Sequence, residues 1–240
     1  MSQPSGAIGE RDLSTTDYAG TVATEARRVR FIVFTVLLGM VWSQASSMMH
    51  VGPITAYIIV GIQCALYLGY TLRYRDGLIA RLFLFSIGAG LTELLADWWL
   101  VERTGSLLYE PSGPFLIRSP IYMPLAWALI LIPLGYLGIQ LGGYVSLPWA
   151  TVLTAVGAAA YIPLYEHWAT GARWWAYRSA TMIGGVPWHI IVGELLSVLP
   201  LPLFLARVDR TKAWITTLLG IVEGLWIWGA YSISYGVLLK

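Results

Sequence analysis

The hydrophobic positions of the chain fall into seven long runs that are separated by more polar connections. Each run is close to the roughly 20 residues that an α-helix needs to cross ~30 Å of hydrocarbon. The pattern therefore predicts an all-α polytopic membrane protein, built as a bundle of about seven transmembrane helices. The predicted spans are residues 31–49, 53–72, 78–101, 120–142, 147–165, 184–206 and 213–239.

Composition supports this fold class, because 57% of the residues are apolar and only 12% are charged. A soluble domain carries about 25% charged residues. The net charge is only +2, and the Lys and Arg residues do not form a basic stripe, so we expect no nucleic-acid partner. Cys64 is the only cysteine, which excludes an internal disulfide and a Cys-ligated cluster. Residues 1–30 have no apolar signal-peptide core, and we interpret them as a polar cytoplasmic tail before a transmembrane domain over 31–240.

The distribution of Lys and Arg predicts the orientation of the bundle. With the N-terminus inside, ten of these residues lie on the inner side and five on the outer side. Since cytoplasmic connections carry the excess of Lys and Arg, this favours an N-in, C-out topology. We expect an integral protein of the cell (inner) membrane.

The two sides also differ in the length and chemistry of their connections. Two long outer connections, residues 102–119 and 166–185, contrast with short inner ones. Tryptophans gather at this outer face, and two interpretations stay open: an aromatic belt at the membrane interface, or a roof over an apolar ligand. The tryptophans concerned are Trp98, Trp99, Trp168, Trp174, Trp175 and Trp188.

Acidic residues inside apolar spans are the main chemical signal. Glu93 and Asp97 lie four residues apart on one helical face, while Glu194 and Glu223 lie about ten residues into the last two spans. Each costs about 2.5 to 3.5 kcal/mol on insertion and is expected to face the bundle interior. A carboxyl group without a basic partner in a low dielectric keeps its proton, as a general acid working at neutral pH requires. The alternative is that each acid is protonated and simply hydrogen-bonded to a neighbouring helix.

The histidines give little support for a metal site. His50, His167 and His189 do not form an HxxxH, HxxHH or ExxH pattern, the spacings that put two ligands on one helical face. We therefore expect no metal and no cofactor, and we assign His189 to hydrogen-bonding a carboxylate or orienting a water. The chain also contains neither a GxSxG motif nor a P-loop.

Residues 92–127, "TELLADWWLVERTGSLLYEPSGPFLIRSPIYMPLAW", resemble the membrane carotenoid-biosynthesis family that includes carotenoid 1,2-hydratases. A second stretch, Trp174 and Trp175 followed by "GGVPWHIIVGE", is similar to the same family. Size, span number and paired intramembrane acids are also similar to small membrane-bound terpene cyclases. The matching positions of the first stretch are Glu93, Thr104 and Gly105, Tyr109, Gly113 and Pro114, and the Pro-Leu-Ala-Trp of residues 124–127.

Both resemblances imply acid–base chemistry on an isoprenoid, by cyclisation or hydration through a carbocation. The substrate would come from the bilayer, and neighbouring biosynthetic enzymes are possible partners. Competing hypotheses are a metal-dependent membrane oxygenase and a non-enzymatic proton-coupled carrier or complex subunit. The predicted catalytic residues are Glu93, Asp97, Glu194 and Glu223, and the predicted pocket residues are Trp98, Tyr109, Trp127, Trp188 and His189.

Overall fold

A computed structural model describes residues 15–178 and 181–238, and these form an all-α bundle with seven helical segments long and apolar enough to span a membrane. The predicted fold class is confirmed, and the protein is an integral membrane protein. The helices are α1 (Thr15–Met49), α2 (Ile54–Tyr74), α3 (Gly77–Trp98), α4 (Met123–Gly142), α5 (Leu147–Gly171), α6 (Trp188–Ser197), α7 (Leu201–Leu205) and α8 (Ala213–Leu238). A π-helical turn, Trp99–Thr104, extends α3.

The first helix begins well before the predicted boundary at residue 31. Residues 1–14 of the predicted tail lie outside the described residues, but the rest of it is the first part of α1. Its polar side chains are held against the bundle. Arg28 donates to both carboxylate oxygens of Asp76 at 2.8 and 3.1 Å, and Glu25 accepts from the Tyr136 hydroxyl at 2.7 Å. These contacts explain why a polar segment continues the helix.

The sixth predicted span, 184–206, is not one helix. Residues 186–187 form a short strand, α6 ends at Ser197, and α7 begins only at Leu201. Pro200 precedes α7 and Pro202 lies in its first turn, where a missing amide hydrogen does no harm. The proline pair therefore interrupts the span and restarts it as a separate short helix.

Helix α3 forms the centre of the bundle, and α8 packs closely along it. A Cβ atom on Gly220 would lie 2.8 Å from the Phe85 carbonyl carbon, so only glycine permits this approach. The Thr92 hydroxyl donates to the Ile221 carbonyl at 3.0 Å across the same interface. Small residues and interhelical hydrogen bonds are typical of membrane helix packing. The face of α3 that meets α8 is consequently buried.

The two long connections lie at the same end of the bundle, as predicted, because they pair with each other. Strand β1 (Leu107–Tyr109) runs antiparallel to β4 (Trp175–Tyr177), with Tyr109 opposite Trp175 and Leu107 opposite Tyr177. We call this pair the ribbon and this end of the bundle the loop end. Two hairpins accompany it: β2 (Phe115–Leu116) with β3 (Ser119–Pro120), and β5 (Met182–Ile183) with β6 (Val186–Pro187).

Candidate functional site

A cavity lies beneath the ribbon, between helices α3, α4, α5, α6 and α8. It contains about 570 Å³ of empty space, including its open side. Binding pockets for small molecules are mostly apolar with a few polar groups. Aliphatic and aromatic side chains form most of the wall here, and four carboxyl groups interrupt it.

The four carboxyl groups come from three different helices. Glu93 and Asp97 project from α3, Glu166 from α5 and Glu194 from α6. None of the four residues is more than 7% exposed. The prediction that Glu93, Asp97 and Glu194 face the interior of the bundle is confirmed.

These acids have no basic partner among the described residues. The ion pairs there involve other acids, namely Glu25, Asp76, Glu102 and Asp209. An isolated buried carboxylate is strongly disfavoured unless hydrogen bonds compensate it or it takes up a proton. The chemistry of the cavity therefore depends on which neutral donors each acid has.

Asp97 and Glu194 each accept a hydrogen bond from one tyrosine hydroxyl. The Tyr109 hydroxyl donates to Asp97 Oδ2 at 2.7 Å, and the Tyr231 hydroxyl makes a short hydrogen bond to Glu194 Oε1. The second Glu194 oxygen, Oε2, is buried without a hydrogen-bond partner among the described residues. Each of these carboxyl groups thus has a single phenolic donor.

Glu166 is held by two donors from one strand. The Trp175 indole nitrogen donates to Glu166 Oε2 at 2.8 Å, and the Tyr177 hydroxyl donates to the same oxygen at 2.6 Å. Glu166 is not among the predicted site residues, because the predicted fifth span ends at 165, whereas α5 continues to Gly171. A span extended by one residue would have shown another acid at a helix end.

Glu93 has the least hydrogen-bonding support of the four. Its Oε2 atom is buried without a hydrogen-bond partner among the described residues. It lies close to the Asp97 carboxyl group, one helical turn away, and to the Trp127 indole. Two neighbouring carboxyl groups cannot both be ionised easily, so such a pair retains a proton.

The phenols on the ribbon remain hydrogen-bond donors at physiological pH. Burial raises the pKa of Tyr109 well above its usual value, and the nearby Asp97 carboxylate raises it further. The pKa of Tyr177 is raised in the same direction, first by burial and then by Glu166. Their protons are therefore available to the acids rather than lost to solvent.

Aromatic rings cover much of the remaining wall. Tyr109 and Trp127 line the cavity as predicted, and Tyr165 and Trp175 line it as well. The Tyr165 and Trp175 ring centroids are 6.1 Å apart, and those of Tyr109 and Trp175 are 6.3 Å apart. The cluster places several ring systems near the four carboxyl groups.

Two predicted pocket residues lie on α6 but away from this cavity. Trp188 is 45% exposed, whereas His189 is fully buried. Both line a separate cavity. Neither ring nitrogen of His189 has a hydrogen-bond partner among the described residues. His189 and Glu194 are five residues apart, or about 140° around a helix, so they face different directions. The predicted contact of His189 with a cavity carboxylate is absent from the described hydrogen bonds.

Trp98 and Glu223 are also outside the cavity lining. Trp98 follows Asp97 by one residue, about 100° around α3, and the Arg103 guanidinium lies 5.8 Å from its ring. Glu223 is fully buried on α8, and neither of its carboxyl oxygens has a hydrogen-bond partner among the described residues. The structure therefore separates Glu223 from the other three predicted catalytic acids.

No three His, Cys, Asp or Glu side chains in the described part of the chain lie close enough together to hold a metal ion. The cavity acids are spread around the wall instead of converging on one point.

Comparison with known proteins identifies the family but no characterised relative. No curated protein and no solved structure matches the chain. A match to a domain of unknown function, DUF6989, covers residues 94–238, from α3 to the end of α8. Because this region is more than half of the 240 residues, the chain belongs to the DUF6989 family.

Proposed function

We propose that the protein is a membrane enzyme that performs acid–base carbocation chemistry, cyclisation or hydration, on a lipid-soluble isoprenoid. One observation carries the proposal: four buried carboxyl groups without a basic partner among the described residues face one cavity with an aromatic wall. Neutral donors there serve three of them, whereas one oxygen of Glu93 and one of Glu194 have no hydrogen-bond partner in the described part of the chain.

Glu93 is the general acid in this proposal. The Glu93–Asp97 pair shares a proton, and the Tyr109 hydrogen bond favours placing the negative charge on Asp97. The Glu93 proton is transferred to a carbon of an alkene, whose π electrons form the new C–H bond. For an epoxide, the proton goes to oxygen as a C–O bond breaks. Either step leaves a carbocation on the substrate.

The aromatic wall stabilises this cation. Ring faces attract cations with about 0.5–2 kcal/mol each, more strongly where water is excluded. Trp127, Tyr165 and Trp175 line the cavity together with the acids. They can stabilise positive charge without forming a bond to it, which lets the cation react further within the substrate.

Glu166 or Glu194 acts as the general base in the last step of the reaction. The carboxylate takes a proton from the carbon next to the cation, and the C–H electrons form a new double bond. In hydration it takes the proton from a water that adds to the cation. Both donors to Glu166 act on Oε2, so Oε1 is left to accept the proton. Proton exchange between the acids then restores Glu93.

The isoprenoid class is proposed from two features. Residues 92–127 resemble the family that includes carotenoid 1,2-hydratases, and the size, span number and paired intramembrane acids are similar to small membrane-bound terpene cyclases. The cavity also lies in a membrane-embedded bundle with a mainly apolar wall. We further propose the cell (inner) membrane with N-in, C-out topology, which puts the cavity in the outer half. Enzymes that supply or consume the isoprenoid would be its functional neighbours.

The test is mass spectrometry of lipid extracts from cells that express the protein or an empty vector. Cyclisation predicts an isomer of the substrate, and hydration predicts a gain of one water. A short incubation of the membranes in D₂O distinguishes the two protonation steps. Alkene protonation leaves deuterium on carbon, whereas epoxide protonation leaves it on an exchangeable oxygen.

Glu93→Gln should abolish the new lipid, while the matched control Glu110→Gln should not. Glu110 is exposed at the same loop end, outside the cavity lining. Unchanged lipid extracts in the presence of well-folded protein would refute the enzymatic proposal. A product with an added oxygen atom but no added hydrogen would instead favour the oxygenase hypothesis.

A further inference from the structure

A second feature lies at the opposite end of the bundle, far from the ribbon. A groove with about 1080 Å³ of empty space, open to the surroundings, runs between α1 and α2. Arg27 and Arg30 of α1 and Arg73 of α2 line it at the end that we call the basic end. Deeper along the helices the groove becomes apolar, where it is lined by Phe31, Phe34, Ala65, Leu66 and Gly69.

The three arginines are not neutralised within the described residues. No carboxylate there forms an ion pair with Arg27, Arg30 or Arg73. The nearby acids Glu25 and Asp76 are both bound by Arg28. The groove therefore carries a local excess of positive charge.

Two of these guanidinium groups contact the same aromatic ring. Arg27 lies 4.4 Å and Arg73 lies 5.6 Å from the centre of the Tyr74 ring. Both are therefore near one side chain of the groove, where their positive charges favour an anion. The Arg27 Nε atom is buried without a hydrogen-bond partner among the described residues.

An independent observation comes from Tyr70, which also lines the groove. The residue is only 7% exposed, and its hydroxyl oxygen is buried beside the Arg27 guanidinium, without a hydrogen bond of good geometry among the described residues. Its ring stacks on Phe31 with 4.0 Å between centroids. A buried hydroxyl without a partner is unfavourable, so a polar group of a ligand would stabilise it.

We propose that this groove binds one anionic phospholipid of the surrounding bilayer. The phosphate lies against Arg27, Arg73 and the Tyr70 hydroxyl, and an acyl chain extends along the apolar floor past Gly69. The change from basic to apolar along the helices matches a headgroup followed by its tail. Basic pockets between membrane helices are known to take acidic lipid headgroups. The proposal does not depend on the chemistry proposed for the cavity beneath the ribbon.

Gly69 provides a clean way to close the groove. A Cβ atom built on Gly69 would meet no atom within 4 Å, so Gly69→Leu fills open space without a clash. Gly61 lies on the same helix in equally open surroundings, outside the groove lining. Gly61→Leu is therefore the matched control for hydrophobicity and helix propensity.

The experiment uses purified full-length protein in detergent, with native mass spectrometry to count retained lipids. Phosphatidylglycerol and phosphatidylcholine are added in parallel, and inorganic phosphate is a third arm. We expect one phosphatidylglycerol to be retained, and Gly69→Leu to lose it while Gly61→Leu keeps it. Equal retention by both variants, or of both lipids, would overturn the proposal. Competition by inorganic phosphate at equal concentration would overturn the assignment to a lipid.

Substitution of single arginines in the groove is a second test of the proposal. Arg27→Gln and Arg73→Gln should each weaken phosphatidylglycerol binding about fivefold, as expected for one basic residue near an acidic headgroup. Arg210→Gln is the control, because Arg210 is on a connection at the same end and pairs with Asp209. A loss with Arg210→Gln as large as with Arg27→Gln would show a general charge effect and contradict a defined site.

Discussion

Carboxylates at the two ends of the bundle are equally buried but have opposite surroundings. At the basic end, Asp76 is 5% exposed, bonds the Arg28 guanidinium and accepts from the Leu78 and Ile79 amides that begin α3. Beneath the ribbon, Glu93 is 2% exposed and has an oxygen with no partner among the described residues.

The difference separates a structural role from a chemical one. Asp76 joins α1 to α3 and caps a helix, so its charge is stabilised by a cation and by backbone amides. The cavity acids receive only phenol and indole donors, which orient a carboxyl group without fixing it as an anion. A carboxyl group that must gain and lose a proton cannot keep a permanent guanidinium partner.

The largest expected effect is on catalysis by the Glu93–Asp97 pair. Asp97→Asn should lower product formation about 10² to 10⁴-fold, because the pair loses its ability to share a proton. Product is measured in lipid extracts and normalised to folded protein. The thermal midpoint in detergent should change little, since the amide keeps the shape and can still bond Tyr109. Full activity would remove Asp97 from the mechanism.

At the basic end we expect a loss of stability without a loss of activity. Asp76→Asn keeps the helix cap but removes one of the two carboxylates that Arg28 binds, which leaves Glu25 as its partner. Loss of this charged hydrogen bond should cost about 2 kcal/mol in the free energy of unfolding. Denaturant unfolding in micelles measures this, and activity per folded molecule should be preserved. Asp209→Asn, which removes an exposed pair with Arg210, should cost less than about 1 kcal/mol. Equal losses in the two variants would contradict the structural role of Asp76.

A smaller effect is expected when the donors to Glu166 are weakened. Tyr177→Phe removes a hydrogen bond to a carboxylate, worth about 1.5–3 kcal/mol, and should slow product formation roughly ten- to a hundredfold. Tyr144→Phe is the control, because Tyr144 is 85% exposed at the other end of the bundle. An unchanged rate for Tyr177→Phe would mean that Glu166 does not act as an anion in the reaction.

The smallest effect is expected at Glu223. Because it lies outside the cavity lining, Glu223→Gln should leave product formation nearly unchanged. The same lipid assay measures it. A large loss of product would place Glu223 in the catalytic proton path. Loss of proton-coupled uptake into vesicles with unchanged lipid chemistry would instead favour the carrier hypothesis.

Sequence periodicity predicted the spans and the acids at their centres, but not the faces that meet. Glu93, Asp97 and Glu194 could be found because each acid interrupts an apolar run at helical depth. Trp188 and His189 were grouped with them but line a different cavity, because several sides of a bundle helix are buried and the sequence does not say which side meets which cavity. Glu166 was missed through an error of one residue in the boundary of a span.

Contacts between the long connections were beyond the sequence pattern. The pairing of Tyr109 with Trp175 joins loops that are separated by two helices, and a single sequence carries no periodic signal for it. The break before α7 was equally hidden, since prolines such as Pro200 are also common in continuous membrane helices. Predicting either requires knowledge of which segments are neighbours in space.

The ribbon has a mechanical consequence for the acids below it. One strand carries the donor to Asp97 and the other carries both donors to Glu166. If the paired strands lift away from the helices, all three hydrogen bonds break in a single movement, and water reaches both carboxyl groups at the same moment. Opening of the cavity and proton exchange at its carboxyl groups would then occur in a single step.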